Sequence, residues 1–208
     1  MLSIARLIAY RPWLYHLTSR ENLPAIRAEQ TLYPASYLLR EGNRADLVCR
    51  KRDAHLAFDA LGHRRVIRDQ SPLHAGNMDL NPGTTLADVV AMLNDWVFFW
   101  PGKAHGPSEY GHRHFGRYEG EGPVILRVPT KAVIDAAGSD HLALCRYNSG
   151  APRCSGGQKS PRGRATFVAP EAFSAGVSSV VEVAFRQPVP LPSVTEIGAR
   201  PEGPFVRF

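Results

Sequence analysis

Residues 14 to 26 read LYHLTSRENLPAI, and this stretch decides the expected fold. His16 and Thr18 alternate with apolar residues, which predicts a β-strand over residues 13 to 18 with both polar side chains on one face. Asn22 follows as a favourable N-cap residue, so a helix is predicted to begin there. The polar side chains at this junction either cap the helix or form the floor of a ligand site.

The other local patterns favour an α+β protein. Helical signals lie mainly in the first half of the chain and strand signals dominate the second, which is unlike a doubly wound sheet. Neither a dinucleotide-binding glycine motif nor a P-loop is present. Helices are predicted over residues 22–30, 85–95 and 130–140, with a short helical turn in 169–176. Further strands are predicted over residues 96–100, 123–129, 142–148, 164–169 and 179–185.

Composition narrows the class of protein. The 208 residues, of which 44% are hydrophobic, suffice for one sizeable core, and a single domain is expected over residues 1–208. No apolar run approaches the roughly 18–20 residues that span a bilayer, and the start of the chain lacks a signal-peptide pattern. Three cysteines without C-x-x-C spacing argue against a disulfide framework or a zinc knuckle. We therefore expect a cytoplasmic protein that binds neither membrane nor metal.

The chain is also basic, with a formal net charge of +6 and an isoelectric point near 9.5. Basic surfaces favour phosphate contacts, because each neutralised phosphate releases condensed counterions. The Gly/Ser/Pro-rich segment from Asn148 to Arg164 is predicted to be a long loop, and either it is simply solvated or it contacts a nucleic-acid backbone. The candidate contacts are Arg153, Lys159, Arg162 and Arg164.

Four features carry candidate chemistry, each with a plain structural alternative. His16 either bonds a backbone carbonyl or contacts a ligand. The aromatic strand WVFFW at 96–100 is either core or a wall on which a flat ring stacks. Glu182 interrupts an apolar strand, and its carboxylate either faces solvent or is buried and functional. Arg68 either forms a surface pair with Asp69 or holds a pyrophosphate.

The histidine-rich segment HGPSEYGHRH offers a His-x-His pair, His112 and His114, with His105 nearby. Such spacing can bind a metal, but a His-x-His pair alone does not make a complete ligand set. We expect a mobile polar loop here.

In this order the motifs resemble those of the DarT-type ADP-ribosyltransferases. YHLTSRENLPAIRAEQTLYPAS (15–36) is similar to the opening of that family, and LNDWVFFWP (93–101) is similar to its aromatic strand. VVEVAFRQPVPLPSV (180–194) is similar to the late strand that carries the family's glutamate. The resemblance extends in scattered motifs over residues 13–197 and is also seen with an uncharacterised bacterial branch of DarT-like proteins. The continuation PGKAHG (101–106) departs from the family pattern.

The resemblance implies a split β-sheet, two small sheets that form a cleft for NAD. It implies that Glu182 is the catalytic glutamate and that Arg68 holds the pyrophosphate, with Arg50 and Arg52 as competing assignments. His16 and Thr18 would bind the nicotinamide ribose or carboxamide, and Phe98 would stack on the nicotinamide. The implied cofactor-binding set is His16, Thr18, Asn22, Phe98, Phe99 and Trp100.

The activity implied is transfer of ADP-ribose from NAD to a DNA or RNA base, by a toxin or phage-defence enzyme of the glycosyltransferase class. Single-stranded DNA or RNA would be the partner, and an antitoxin or an ADP-ribose-removing protein would accompany it. Two alternatives stay open: the acceptor is a protein or an RNA phosphate, or the domain is an inactive module that binds nucleotides or nucleic acid.

Overall fold

The computed structural model describes all 208 residues, as six α-helices and fourteen mostly short strands joined by loops and 3₁₀ turns. The helices are α1 (Ile4–Tyr10), α2 (Leu23–Glu29), α3 (Ala35–Glu41), α4 (Leu86–Asn94), α5 (Glu109–Arg117) and α6 (Thr130–Ala137). The strands are β1 (Trp13–Thr18), β2 (Thr31–Leu32), β3 (Leu56–Ala60), β4 (His63–Ile67), β5 (Met78–Leu80), β6 (Val97–Lys103), β7 (Gly106–Pro107), β8 (Val124–Pro129), β9 (Leu142–Cys145), β10 (Ser160–Arg162), β11 (Glu182–Phe185), β12 (Val189–Pro190), β13 (Glu196–Gly198) and β14 (Val206–Arg207). None of the helices has the length and apolar character needed to cross a membrane.

The main sheet is antiparallel and follows the order β14-β13-β8-β1-β6-β11-β9, with β7 added beside β6. Three two-stranded pairs lie outside it: the hairpin β3–β4, the antiparallel pair β2–β12 and the parallel pair β5–β10. Helices and mainly antiparallel strands in this arrangement make an α+β protein.

Strand β6 changes its pairing partner halfway along its length. Its residues 100–102 pair with residues 13–15 of β1, whereas its residues 97–99 pair with residues 183–185 of β11. Residues 16–18 of β1 continue to pair with β8 but no longer with β6. The sheet is therefore split beside β6.

Both faces of the sheet are covered. On one face α6 packs through Val133 and Ile134 into the largest apolar cluster, which contains Phe99 and Phe185. On the other face α4 packs near Ala184 of β11, and α5 packs near Trp100 of β6. The helix residues buried there are Val89, Val90 and Leu93 of α4 and Phe115 of α5.

The hairpin β3–β4 is fastened to the start of the chain by Asn22. Leu61 (φ +53°) and Gly62 (φ +73°) form its two-residue turn, for which positive φ at both positions is required. The Asn22 side chain accepts a hydrogen bond from the Val66 amide at 2.7 Å and donates one to the Val66 carbonyl at 2.8 Å. Asn22 stands at the N-cap position of α2 but makes no side-chain cap, so the prediction that it caps the helix is wrong.

Most predicted elements are present, with ends that differ by a few residues. The strand predicted over 164–169 is wrong, because residues 164–166 form a 3₁₀ turn and only Val168 makes a β-bridge, to Leu144. The loop predicted at the histidine-rich segment is also wrong, since most of it forms α5. Helices α1 and α3 and the hairpin β3–β4 were not predicted.

Gly102 tests the packing that holds β1, β6 and β7 together. A Cβ atom there would lie 2.5 Å from the Pro107 Cα atom and 2.8 Å from the Tyr15 ring. We expect Gly102→Ala to lower the free energy of unfolding by about 2–3 kcal/mol. Gly116 in α5 has no atom within 4 Å of a built Cβ, so Gly116→Ala is the matched control and should be neutral or stabilising by about 0.5–1 kcal/mol. Urea unfolding of both variants measures the difference, and equal effects would contradict this account.

Candidate functional site

A cavity of about 400 Å³ opens where the sheet splits. Strand β1 contributes His16 and Thr18 to its lining, β6 contributes Phe98 and Trp100, and β11 contributes Glu182. Pockets of this size, with aromatic walls and a few polar groups, are typical of small-molecule sites.

The strand register explains why the split matters. Tyr15 lies opposite Trp100, and Val183 lies opposite Phe99. In an unbroken sheet His16 would therefore share a face with Phe99, and Glu182 would share the opposite face with Trp100. Both His16 and Glu182 nevertheless line one cavity. The gap beside β6 thus brings together polar side chains from the two faces of the sheet.

Glu182 is buried, with 3% of its surface exposed, and its carboxylate is bonded on one side only. Its Oε1 atom accepts a hydrogen bond from the Ser149 amide at 3.0 Å, while its buried Oε2 atom has no hydrogen-bond partner. Burial raises the pKa of Glu182 to about 7, against the opposing effects of the Ser149 hydrogen bonds and the Arg162 charge. A carboxyl group with this pKa is well suited to exchange a proton near neutral pH.

His16 both bonds the backbone and lines the cavity. Its Nδ1 atom lies 2.8 Å from the Phe98 carbonyl oxygen. A carbonyl only accepts, so Nδ1 carries the proton and Nε2 is an acceptor. Burial, aided by the charge of Arg68, lowers the pKa of His16 and keeps the ring neutral. Beside it, the Thr18 hydroxyl accepts a hydrogen bond from the Asn22 side chain at 3.0 Å.

Helix α5 adds a further wall that contains a second histidine, His114, and that was not predicted from the sequence. The His114 ring lies 5.0 Å from the Trp100 ring and 5.2 Å from the Tyr118 ring, centroid to centroid. Burial, together with the charges of Arg68 and Arg117, lowers the pKa of His114 to about 3, so this ring is neutral. No group of three or more His, Cys, Asp or Glu side chains is placed to hold a metal ion. The spacing Tyr110-Arg113-His114-Arg117, which places all four on one helical face, was the available signal.

Phe99 does not belong to the site. Its side chain is fully buried in the main apolar cluster, in edge-to-face contact with Phe185 at 5.9 Å. The prediction that Phe99 contacts a ligand is wrong, because alternation along β6 directs it away from Phe98 and Trp100.

Of the three arginines considered for the pyrophosphate, Arg52 and Arg68 line the cavity and Arg50 does not. Arg68 lies over the Tyr118 ring at 3.8 Å and donates to Glu121 at 2.7 Å, and its buried Nε atom has no partner. Arg68 therefore does not form the surface pair with Asp69 that was one alternative. Arg50 is exposed near Asp46 and lies outside the lining.

Two hydrogen bonds to the protein hold the Arg52 guanidinium in place. It donates through Nε to the Arg68 carbonyl at 3.0 Å and through Nη2 to the Asn94 side chain at 3.0 Å, and its buried Nη1 atom has no partner. Burial lowers the pKa of Arg52 to about 10, so the guanidinium stays charged at neutral pH. Together Arg52 and Arg68 contribute two buried nitrogen atoms without a hydrogen-bond partner to residues that line the cavity.

The four cations predicted for nucleic-acid contact separate in the structure. Arg153 is exposed and lines the cavity, whereas Lys159 and Arg164 are exposed outside it. Arg162 is 1% exposed and bonds backbone carbonyls, so the prediction that it contacts a phosphate backbone is wrong. Exposed arginines from three segments form what we call the cationic rim of the cavity: Arg113, Arg117, Arg146 and Arg153.

Comparison with known proteins assigns a family but no activity. Residues 12–195 match a family described as a family of unknown function (DUF7002), and the chain belongs to it. No curated protein and no solved structure matches the chain. The matched residues include every element that lines the cavity.

The raised pKa of Glu182 predicts a pH-dependent stability. Between the ordinary value of 4.5 and about 7, the folded protein binds this proton more tightly than the unfolded chain, so stability falls as pH rises through that window and is level above it. Glu182→Gln removes the effect, and we expect it to stabilise the protein by about 3 kcal/mol at pH 8 and only about 1 kcal/mol at pH 5.

Urea unfolding at both pH values measures this difference. Glu171→Gln, at an exposed position, is the matched control and should show no such dependence. An equal effect of Glu182→Gln at pH 5 and pH 8 would mean that the carboxyl group titrates normally.

Proposed function

We propose that this member of the DUF7002 family is a mono-ADP-ribosyltransferase with an ADP-ribosyltransferase-like split sheet, which transfers ADP-ribose from NAD to a nucleic acid. One observation carries the proposal: a buried carboxylate with an unpartnered oxygen, Glu182, faces the same cavity as His16 and two arginines with unpartnered N–H groups. The ordered motifs shared with DarT-type enzymes support the same reading.

The cavity lining suits the parts of NAD. The flat nicotinamide ring would stack on Phe98, while His16 Nε2 and the Thr18 hydroxyl would bond the adjoining ribose or carboxamide. Arg52 and Arg68 would hold the pyrophosphate, because guanidinium groups bind phosphate oxygens with paired hydrogen bonds. Both arginines enter this assignment, since each has a buried nitrogen atom that the protein leaves without a hydrogen-bond partner.

The chemistry requires little beyond Glu182. The bond between the ribose C1′ atom and the nicotinamide nitrogen breaks with its electron pair leaving on nicotinamide, and positive charge develops on the ribose. The ionised Glu182 carboxylate stabilises that charge and takes the proton of the acceptor as the new bond to C1′ forms. Its one fixed oxygen orients the group, and its unpartnered oxygen is available for this role.

The cationic rim makes a nucleic acid the favoured acceptor. Neither Arg117 nor Arg146 forms an ion pair with an acidic side chain of the protein, so both charges are available to phosphates at the cavity entrance. Tyr110 is 43% exposed beside Arg113 and offers a ring on which an unpaired base can stack. An enzyme that modifies nucleic acid in this way would act as a toxin or defence enzyme.

The first experiment measures release of nicotinamide from NAD, with single-stranded DNA, RNA or protein as acceptor. We expect turnover by the wild type in the presence of nucleic acid and a loss of about 10²–10³-fold in Glu182→Gln, with Glu171→Gln unchanged. Because the ionised carboxylate acts, the rate should rise with pH to half its limit near the pKa of about 7.

The outcomes of that experiment separate the alternatives. If only protein stimulates nicotinamide release, the acceptor is a protein and not a nucleic acid. Absence of release under every condition, with no increase in melting temperature when NAD is added, would favour an inactive binding module.

The rim is tested by charge removal. The double variant Arg117→Gln, Arg146→Gln should bind single-stranded DNA or RNA more weakly and with a shallower salt dependence, by about 0.7 in the log–log slope for each lost contact, while the KM for NAD stays unchanged. The control, Arg6→Gln with Arg40→Gln, removes the same charge from exposed positions outside the lining. Equal losses in the two double variants would show that net charge, and not the rim, determines binding.

A further inference from the structure

Arg162 is the largest side chain that the fold buries completely. Its guanidinium donates hydrogen bonds to backbone and hydroxyl oxygens. Its Nε atom donates to the Ser149 carbonyl at 3.2 Å and its Nη2 atom to the Asn148 carbonyl at 2.8 Å. Its Nη1 atom donates at 2.8 Å to the Pro161 carbonyl and to the Ser160 hydroxyl. A buried cation with every nitrogen bonded fixes the backbone around it.

The segment that Arg162 fixes is the one that orients Glu182. Ser149 accepts from Arg162 through its carbonyl and donates to Glu182 Oε1 through its amide. Arg162 is itself held in place, because its strand β10 pairs with β5 through three residue pairs. Glu182, Ser149 and Arg162 are exposed by 3%, 2% and 1%, so water does not replace these bonds.

Arg162 and Glu182 form no direct ion pair, although both are buried and oppositely charged. A direct bidentate pair would occupy both carboxylate oxygens and make the group a weak base. Contact through the Ser149 backbone instead fixes Oε1 and leaves Oε2 without a protein partner. The arrangement therefore orients the carboxylate of this cavity-lining residue and leaves one of its oxygens without a protein partner.

We propose that Arg162 is a positioning residue for Glu182: it holds the Asn148–Ser149 backbone so that the Ser149 amide fixes one carboxylate oxygen and the other keeps no protein partner. This role deepens the proposed function and rests on it only for the kinetic consequence. The positioning itself is a property of the folded protein and is measurable without substrate.

The first measurement is the titration of Glu182, monitored by ¹³C NMR of protein labelled at the glutamate carboxyl carbons. The signal that is lost in Glu182→Gln identifies this residue. In Arg162→Gln the carboxylate loses the aligned amide and the nearby charge, so its pKa should rise by at least about one unit. Arg162→Lys keeps the charge but not the forked bonds, and its pKa should lie between the two. Arg40→Gln, an exposed arginine outside the lining, should leave the titration unchanged.

Kinetics supply the second measurement. For nicotinamide release, kcat should fall at least about tenfold in Arg162→Gln, the KM for NAD should change little, and the acidic limb of the pH profile should move upward with the NMR titration. Arg162→Lys should recover part of the rate. A loss of stability alone would lower the fraction of folded, active enzyme but would not shift the acidic limb of the pH profile.

Each outcome is decisive. A folded Arg162→Gln protein with the wild-type titration of Glu182 overturns the proposal, and if that variant does not fold, Arg162→Lys is judged by the same criterion. Shifted titrations in a protein that never releases nicotinamide would retain the positioning role and reject the transferase. If the wild type releases nicotinamide but the Arg162 variants titrate as the wild type does, the transferase is retained and the positioning role is rejected.

Discussion

A sheet can open between two neighbouring strands only if the backbone groups it exposes find other partners, and here the His16 ring provides one. Where β1 stops pairing with β6, the Phe98 carbonyl accepts a hydrogen bond from His16 Nδ1 at 2.8 Å. An unpaired buried carbonyl would otherwise oppose the split. The first alternative for His16, a bond to a backbone carbonyl, is therefore confirmed, and the same ring also lines the cavity, so its contact with a ligand stays a prediction.

The split also dictates which charges are buried. Charged groups that line the cavity lose water, and each is stabilised by a fixed hydrogen bond: Glu182 of β11 by the Ser149 amide, and Arg52 of the loop before β3 by Asn94. The histidines respond by losing their charge, as the lowered pKa values of His16 and His114 indicate. Polar groups held on one side and unpartnered on the other are a preorganised binding surface, since their desolvation is complete before any ligand arrives.

Local sequence patterns were sufficient to predict the strands of the site. They were insufficient to predict the long-range contacts that connect those strands to the rest of the fold. Alternation of polar and apolar residues predicted β1, and β-branched and aromatic runs predicted β6 and β11. The resemblance placed Phe99 in the cofactor-binding set, whereas alternation along β6 directs its side chain into the apolar core. Asn22 has the composition of a cap, but its partner Val66 lies 44 residues away, and no local rule reports such a contact. Arg162 stands in a segment whose composition is that of a loop, and its burial depends on backbone carbonyls, which leave no trace in the sequence.

The counter-charge of Arg68 shows how such a cavity remains stable before it binds anything. Burying a guanidinium without an acceptor is unfavourable, and here Glu121 provides the acceptor at 2.7 Å, from a short 3₁₀ turn that ends at Gly122. Glu121 is 45% exposed and also contacts His55, so on releasing Arg68 it would regain water and keep a partner. A phosphate bound to Arg68 would replace Glu121 as its ion-pair partner, while the Glu121 carboxylate stays nearby beside His55. Under the proposed function, Arg68 therefore contributes to the affinity for NAD only the difference between two similar ion pairs, and the selectivity of the site lies mainly in the aromatic walls and in Glu182.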